Sequence, residues 1–500
     1  MSIGTSEIKS NARPAEAGLE ADVERSTSSN RYLVILFILI GLIIYLGLLS
    51  NRYDANGLIE AEAIEAGGDA LFSPNHILYR PIVWLLYQAM QIFGFVGRAV
   101  IPAQIVTSIA AALGLGLFFV WASRLTRSTR AAAVATLGFG TSWAYWTFSI
   151  DAYYITPAAA VVLGALICLN AVVQRRSDWK WPLVGASLLT GLAILLWQAN
   201  IFLIPSVVIV LALRFRANRH DLFVSNVLHI GIVIAIVGFG YLFGSIVVFG
   251  GDWTLQRFFA WPINYGGGSL QVWGQFDASR VIPAAQSVIA SFIPVSEGLG
   301  LRDFLSGEVQ IDKLSQLAAL PAFGLIVLFP LGAGILKRSL SSRKISLIGL
   351  LLVGYLMYMP FFVWWDPFEP KWLVVPMIAA WSVIGLLWTM PILAPRFIGI
   401  FAILVFLVAQ ANFTATVWPR HSLPDDQMEK ARCIASYLQA EDLLISVNWE
   451  GRHLSYFFQR NAFGIIDAVA RHGDKDAGLL ELQGAIRAAQ QNGQVYFPDF

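Results

Sequence analysis

From Tyr32 to Asn51 the chain runs without a single charged residue. A stretch of that length, rising about 1.5 Å per residue, crosses the hydrocarbon layer of a bilayer as one helix. It exceeds the apolar core of a signal peptide, and no small-residue cleavage site follows it, so we read an uncleaved first span. Windows of about 19 residues place further spans near 99–121, 131–149, 152–173, 182–198, 200–213, 223–248, 316–336, 345–365, 372–390 and 397–412. The expected fold is therefore a polytopic α-helical membrane protein with about eleven transmembrane helices.

Composition agrees, with 57% hydrophobic and only 13% charged residues, where soluble proteins carry roughly 25% charged. The net charge of +2 and the scatter of 34 basic residues through short loops exclude a nucleic-acid partner. Cys168 sits in an apolar run and Cys433 in a polar tail, so the two cysteines define no disulfide framework.

The loops set the orientation, because Lys and Arg are retained on the cytoplasmic side. Arg124, Arg127 and Arg130 share one loop, Arg175, Arg176 and Lys180 a second, Arg214, Arg216 and Arg219 a third, and Lys337, Arg338, Arg343 and Lys344 a fourth. All four fall on the side of residues 1–30, a Ser-, Ala- and Glu-rich stretch without apolar periodicity that reads as a disordered cytoplasmic tail. The membrane domain then covers 31–412, with outer loops at 51–98 and 250–315, in what would be a bacterial inner membrane. Within the first outer loop, Pro81–Phe95 is short for a span and reads as a helix lying at the membrane surface. The second, with Trp253, Phe258, Phe259, Trp261 and Trp273 around Gly266, Gly267 and Gly268, reads as an interfacial lid.

Charge returns after about residue 413. There DDQMEKARCIASYL puts Met428, Ala431, Ala435 and Leu438 on one helical face, while LLISVN, FGIID and QVYF read as strands. We expect a small extracytoplasmic α/β domain over 413–500. None of its strands is followed by a glycine-rich phosphate fingerprint, which argues against a nucleotide site.

Chemistry is concentrated in the loop behind the first span, where Asp54, Glu60, Glu62, Glu65 and Asp69 precede His76, Tyr79 and Arg80. Asp54 stands three residues past the helix end, where a carboxylate can take a proton from an incoming hydroxyl or hold a divalent cation. The ordinary alternative is a solvated helix end. Among the glutamates, Glu60 is the favoured second candidate, the others fitting the wet face of a short helix. Arg80 suits a phosphate oxygen and His76 a sugar or phosphate, although Tyr and Arg are also favoured as headgroup-level anchors.

Farther on, TSWAYWTFSIDAYY sets Asp151 among Trp143, Trp146, Tyr153 and Tyr154. An acid at membrane depth is costly and points to function, with a helix cap as its competitor. In WWDPFEPKW, Lys371 is placed to meet a phosphate, or with Asp366 and Glu369 simply keeps a tight turn in water. His229 reads as structural. No cluster has zinc spacing and no Walker-type or Gly-x-Ser-x-Gly loop is present, so no cofactor and no metal site are indicated.

These residues resemble a family. The order of tail, first span, acidic outer loop, helical bundle and C-terminal outer domain is similar to the GT-C superfamily of integral-membrane glycosyltransferases, which includes protein O-mannosyltransferases and aminoarabinose transferases. Asp54 resembles the acidic residue those enzymes carry after the first span. SPNHILYRP is similar to the segment closing that loop, and the Trp-rich string around Asp151 to a Trp followed by Glu-x-Tyr. The paired acids of well-described members are absent, since Ala55 and Asn56 follow Asp54.

The resemblance implies a hexosyltransferase that moves a sugar from a polyprenyl-phosphate donor to a glycan, lipid or protein acceptor on the outer face. Asp54 and Glu60 would be catalytic, with Asp69, His76, Tyr79, Arg80, Asp151, Tyr153 and Lys371 binding substrate. A transporter or flippase of a lipid-linked intermediate is a second class, opposed by charge-free span centres and the lack of two repeated broken helices. A non-catalytic envelope scaffold is a third.

The basic loops generate a topology test. A reporter that works only outside the cytoplasm, fused after Phe500, should be active, and an impermeant thiol reagent should reach Cys433 once the outer barrier is opened. A reporter active only in the cytoplasm would sink the topology.

Overall fold

In a computed structural model of the protein, the described residues are 31–174, 178–262, 277–293, 311–336, 342–389, 394–446, 451–465, 468–469 and 475–497. The tail 1–30, residues 263–276 and 294–310 of the expected lid, and Arg175, Arg176, Lys337 and Arg338 lie outside them.

Apolar runs become helices because a helix satisfies its own backbone in lipid. The first span is α1 (Arg31–Gly47). After it come α2 (Ala55–Ala66), α3 (Tyr79–Ile92), α4 (Val100–Thr126), α5 (Thr129–Thr141), α6 (Trp143–Ser149), α7 (Ile155–Gln174), α8 (Lys180–Leu196), α9 (Leu203–Phe215), α10 (Arg219–Phe249) and α11 (Leu255–Ala260). Beyond them lie α12 (Val281–Ala290), α13 (Ile311–Leu336), α14 (Ser342–Trp365), α15 (Pro376–Trp388) and α16 (Ala394–Asn412). The protein is a polytopic α-helical membrane protein: among the described residues five helices are long and apolar enough to cross a bilayer, and five shorter apolar ones accompany them.

One expected span is divided. Helix α5 has 13 residues, about 20 Å, too short to cross alone. At Ser142 the backbone turns extended, and Trp143 and Ala144 donate to the carbonyls of Phe292 and Ser291 at 3.2 and 2.9 Å. Irregular backbone at membrane depth is tolerable when protein groups satisfy it this way. The apolar periodicity of 131–149 hid the break, because α5 and α6 are both buried.

Helix α4 is the axis of the bundle. Small residues let α1 lie against it: a Cβ at Gly41 would stand 2.9 Å from the Ala112 Cα. The core gathers Phe118 and Phe119 of α4, Phe139 of α5, Tyr145 of α6, and Trp381 and Trp388 of α15, all nearly inaccessible. Helix α3 shows the two faces of a surface helix, with Val83 and Tyr87 buried and Ile82, Leu85 and Ile92 exposed. Because α4, α7 and α9 each run away from the 51–80 end, Arg124, Arg127 and Arg214 lie at the opposite end of the bundle.

After α16 the helix does not stop near 413. It continues through a π-turn (Phe413–Val417) into α17 (Trp418–Ser422), whose first turn holds Pro419, until Leu423 turns extended. The C-terminal unit then comprises α18 (Asp426–Tyr437), β1 (Leu443–Ser446), α19 (Gly451–Phe458), β2 (Asn461–Gly464), α20 (Lys475–Asn492) and β3 (Val495–Tyr496). Its three strands form a parallel sheet in the order β2-β1-β3, with Leu443 opposite both Asn461 and Val495. The central strand is buried throughout, as a parallel strand covered on both faces must be. Ala431, Leu438, Leu444 and Leu454 make its core. The second strand begins two residues before the expected FGIID and gives way to helix after Gly464.

Close packing at the centre of the bundle gives a stability test. A methyl group at Gly138 would overlap the Trp381 ring, whose Nε1 donates to Ser142 Oγ at 2.8 Å. Gly138→Ala should cost about 1–3 kcal/mol, the usual range for overpacking, read as a lower heat-aggregation temperature in detergent. Unchanged heat stability would mean that Trp381 moves aside without loss.

Candidate functional site

Helix α2 brings its first residue to the mouth of the bundle. Asp54 caps it, its Oδ1 accepting from the Asn56 N–H at 2.9 Å, and remains half-buried. One turn on, Gly57 lets α2 lie on the loop between α6 and α7: a Cβ there would stand 3.0 Å from the Ala152 carbonyl oxygen and 3.7 Å from Asp151 Oδ1. Any larger residue would lift α2, and Asp54 with it, off Asp151.

Asp151 is wholly buried. Its Oδ1 accepts from the Ala152 N–H at 2.8 Å, and its Oδ2 pairs with Arg420 of α17 at 2.7 Å. Burial pushes its carboxyl up, Arg420 pulls it down, and the negative charge of Asp54 adds to the rise, so the net shift is upward. It is therefore not the cap of α7, which starts at Ile155. Arg420 was invisible as a site residue in the sequence, where it is a lone arginine past the last span.

Lys371 faces the same place from a 3-10 turn, Pro370–Leu373. It is 4% exposed, so it does not keep that turn in water. Its Nζ is 3.4 Å from Glu369 Oε2 and lies 5.6 Å above the Tyr153 ring and 5.3 Å above Trp372. Burial alone would lower its pKa, but Asp54 first and Glu369 second outweigh that and raise it. The ammonium therefore stays charged. Among the described residues Asp54 forms no ion pair of its own.

A second cluster lies deeper along α2. Glu60 is 3% exposed, and Arg80 grips it with two bonds, Nε to Oε2 at 2.7 Å and a terminal nitrogen to Oε1 at 3.2 Å. The other terminal nitrogen of Arg80 donates to the Ala70 carbonyl at 2.8 Å. His76 Nε2 is 2.7 Å from Glu60 Oε2, close but off the line of a well-formed hydrogen bond. Burial would raise the Glu60 carboxyl, yet the Arg80 guanidinium outweighs it and the carboxyl is held down at about 2. Burial lowers the pKa of His76 itself, more than Glu60 raises it, which favours the neutral ring.

The clusters are joined by stacked rings: His76 on Tyr154 at 4.1 Å, and Tyr154 on Tyr153 at 4.8 Å. Tyr79 is buried behind them, its hydroxyl 3.3 Å from Thr107 Oγ1, which also donates to the Tyr153 carbonyl. Asp69 stands apart on an exposed 3-10 turn, where among the described residues its carboxylate accepts only from the Ala70 N–H. His229 makes a structural bond to Ser187 Oγ at 2.9 Å. Among the described residues no three His, Cys, Asp or Glu side chains are grouped as metal ligands.

Fold and site together define a multi-span helical membrane protein with buried acid–base groups at one end of its bundle. No protein-family model matches the chain, and no curated protein matches it. Among solved structures it is similar to ArnT from Cupriavidus metallidurans in the apo state, with a TM-score of 0.42 at 15% identity over 93% of this chain and 90% of that one. It is similar to the same protein bound to undecaprenyl phosphate, with a TM-score of 0.43 at 14% identity over 93% and 89%. It is also similar to the archaeal oligosaccharyltransferase AglB from Archaeoglobus fulgidus in complex with an inhibitory peptide and a dolichol-phosphate, with a TM-score of 0.49 at 11% identity over 87% of this chain and 64% of that one. At such identities and scores no residue's role passes from them to this chain.

The deeper cluster makes a pH prediction. The Glu60 carboxyl ordinarily titrates near 4.5 and is held at about 2 in the fold. A carboxyl lowered on folding contributes stability that is full above the unfolded value and is lost as pH falls through the folded one. The melting temperature in detergent should therefore drop between pH about 4.5 and about 2. Glu60→Gln should cost about 3–5 kcal/mol at neutral pH, as breaking a buried ion pair does. A variant that melts with the wild type at pH 7 would show the pair to be dispensable.

Proposed function

We propose that this chain is a membrane glycosyltransferase that moves a sugar from a polyprenyl-phosphate donor to an acceptor hydroxyl on the extracytoplasmic face. The observation that carries the reading is the pair of groups set at one end of the bundle: a half-buried carboxylate, Asp54, capping α2 over the α6–α7 loop, and a buried ammonium, Lys371, above the Tyr153 ring of that loop. One group is suited to receive a proton and the other to neutralise a phosphate.

In this mechanism Asp54 takes the proton of the acceptor hydroxyl as its oxygen bonds to the anomeric carbon. The bond from that carbon to the carrier's phosphate oxygen breaks in the same displacement, inverting the carbon. Lys371 neutralises the phosphate that leaves, and Tyr153 with Tyr154 offers stacked faces beside it. Glu60 and Arg80 take a supporting role, since both Glu60 oxygens are committed to Arg80. No ATP is needed, because the lipid phosphate is itself the leaving group.

The orientation follows the basic turns: N-terminus in the cytoplasm, site and C-terminal unit outside, in a bacterial inner membrane, with the ten apolar helices and the divided α5–α6 segment making about eleven crossings. A glycan, lipid or protein is the acceptor class. A lipid-borne donor suits a site on the outer side, where nucleotide sugars are absent.

Purified protein in lipid should transfer label from a polyprenyl-phosphate sugar and ignore the matching nucleotide sugar. Asp54→Asn should lower turnover at least about a hundredfold without loss of expression, and Lys371→Met by about a hundred- to a thousandfold. Transfer from the nucleotide sugar alone would reject the donor, and near-normal turnover by Asp54→Asn would reject the base.

A further inference from the structure

The C-terminal unit grips helix α2 at both ends. At the start, Asp425 is 8% exposed and its Oδ2 accepts from the Tyr53 N–H at 3.1 Å, one residue before Asp54. The same oxygen lies 2.9 Å from His453 Nε2, while Oδ1 accepts from Gln427 and Met428 N–H groups at 2.9 and 3.4 Å and opens α18. At the far end, the Tyr456 hydroxyl donates to Glu65 Oε1 at 2.7 Å and accepts from the Val100 N–H at 3.3 Å. Arg98 lies 3.9 Å above the Tyr456 ring and pairs with Glu65 at 2.8 Å. Between the ends, Arg452 stands 3.6 Å from Glu62.

A helix of 12 residues is marginal by itself, and its first turn is the part that frays most cheaply. Asp54 caps that first turn, so its place over the α6–α7 loop depends on what tethers Tyr53 and the far end. We propose that Asp425 and Tyr456 are positioning residues: they hold α2 at its two ends, so that sugar transfer requires the C-terminal unit to be docked on the membrane domain. The inference rests on the reading of Asp54 as the base.

Full-length protein in detergent is compared with Asp425→Ala and Tyr456→Phe by amide hydrogen exchange and by transfer kinetics. In both variants the α2 amides should exchange faster while those of β1 stay protected. Turnover should fall between about ten- and a hundredfold for Asp425→Ala, since small misplacement of a catalytic group costs that much, with KM for the lipid-linked donor little changed, and Tyr456→Phe should lose less. Unchanged α2 protection in both variants, or loosened α2 with full turnover, would overturn the proposal. Should Asp425→Ala also unprotect β1, the unit has unfolded and Tyr456→Phe, which removes one hydroxyl, decides. Failure of the functional reading looks different: wild-type protein idle toward every lipid-linked sugar, with the exchange result still deciding whether the unit holds α2.

Discussion

A carboxylate cannot stay buried without a partner, and the mouth of this bundle is arranged around that constraint. Asp151 has no access to solvent, and Arg420 reaches it from the end of the last long helix. To meet it, the chain after α16 must continue as helix past the membrane core, and it does so through the π-turn into α17. The same segment fixes the exit of the first span, with the Asn51 N–H donating to the Arg420 carbonyl at 2.7 Å and His421 Nδ1 2.9 Å from the Leu49 carbonyl. This ion pair and the two contacts beside it tie the first span, the α6–α7 loop and the last helix into the floor on which α2 rests.

Two carboxylates six positions apart on α2 receive opposite treatment from that arrangement. Glu60 faces inward, is held by both nitrogens of a guanidinium fork and is kept ionised far below its ordinary range. Asp54 caps the helix at the edge, half-buried, with no ion pair among the described residues. Chemical identity does not separate them; position along the helix does. An acid saturated by an arginine is committed to structure, whereas Asp54 at the helix edge has no such partner among the described residues.

Much of the fold was legible in the sequence. Charge-free runs, short basic turns and the return of charge near the C-terminus depend on composition and period, which the bilayer imposes locally. The division of 131–149 was not, because the bonds from Trp143 and Ala144 to residues 291 and 292 leave no mark on hydropathy. Within the site, the sequence singled out Asp54, Glu60, His76, Arg80, Asp151 and Lys371, since an ionisable group in an apolar chain is conspicuous wherever it falls. It did not show which of them pair, nor that Asp69 stands apart on an exposed turn.

Arg420, Asp425 and Tyr456 were missed for the same reason. Each lies in a segment of ordinary polarity, and each acts on a partner more than 260 positions away: Asp151, Tyr53 and Glu65. The sequence by itself determined that this protein lives in a membrane, where its helices run and which loop concentrates its acids, because lipid selects on local composition. Only the tertiary structure decided which acid is neutralised and which stays available, because a charge's state depends on its burial and its partner, and those partners are supplied by remote parts of the chain.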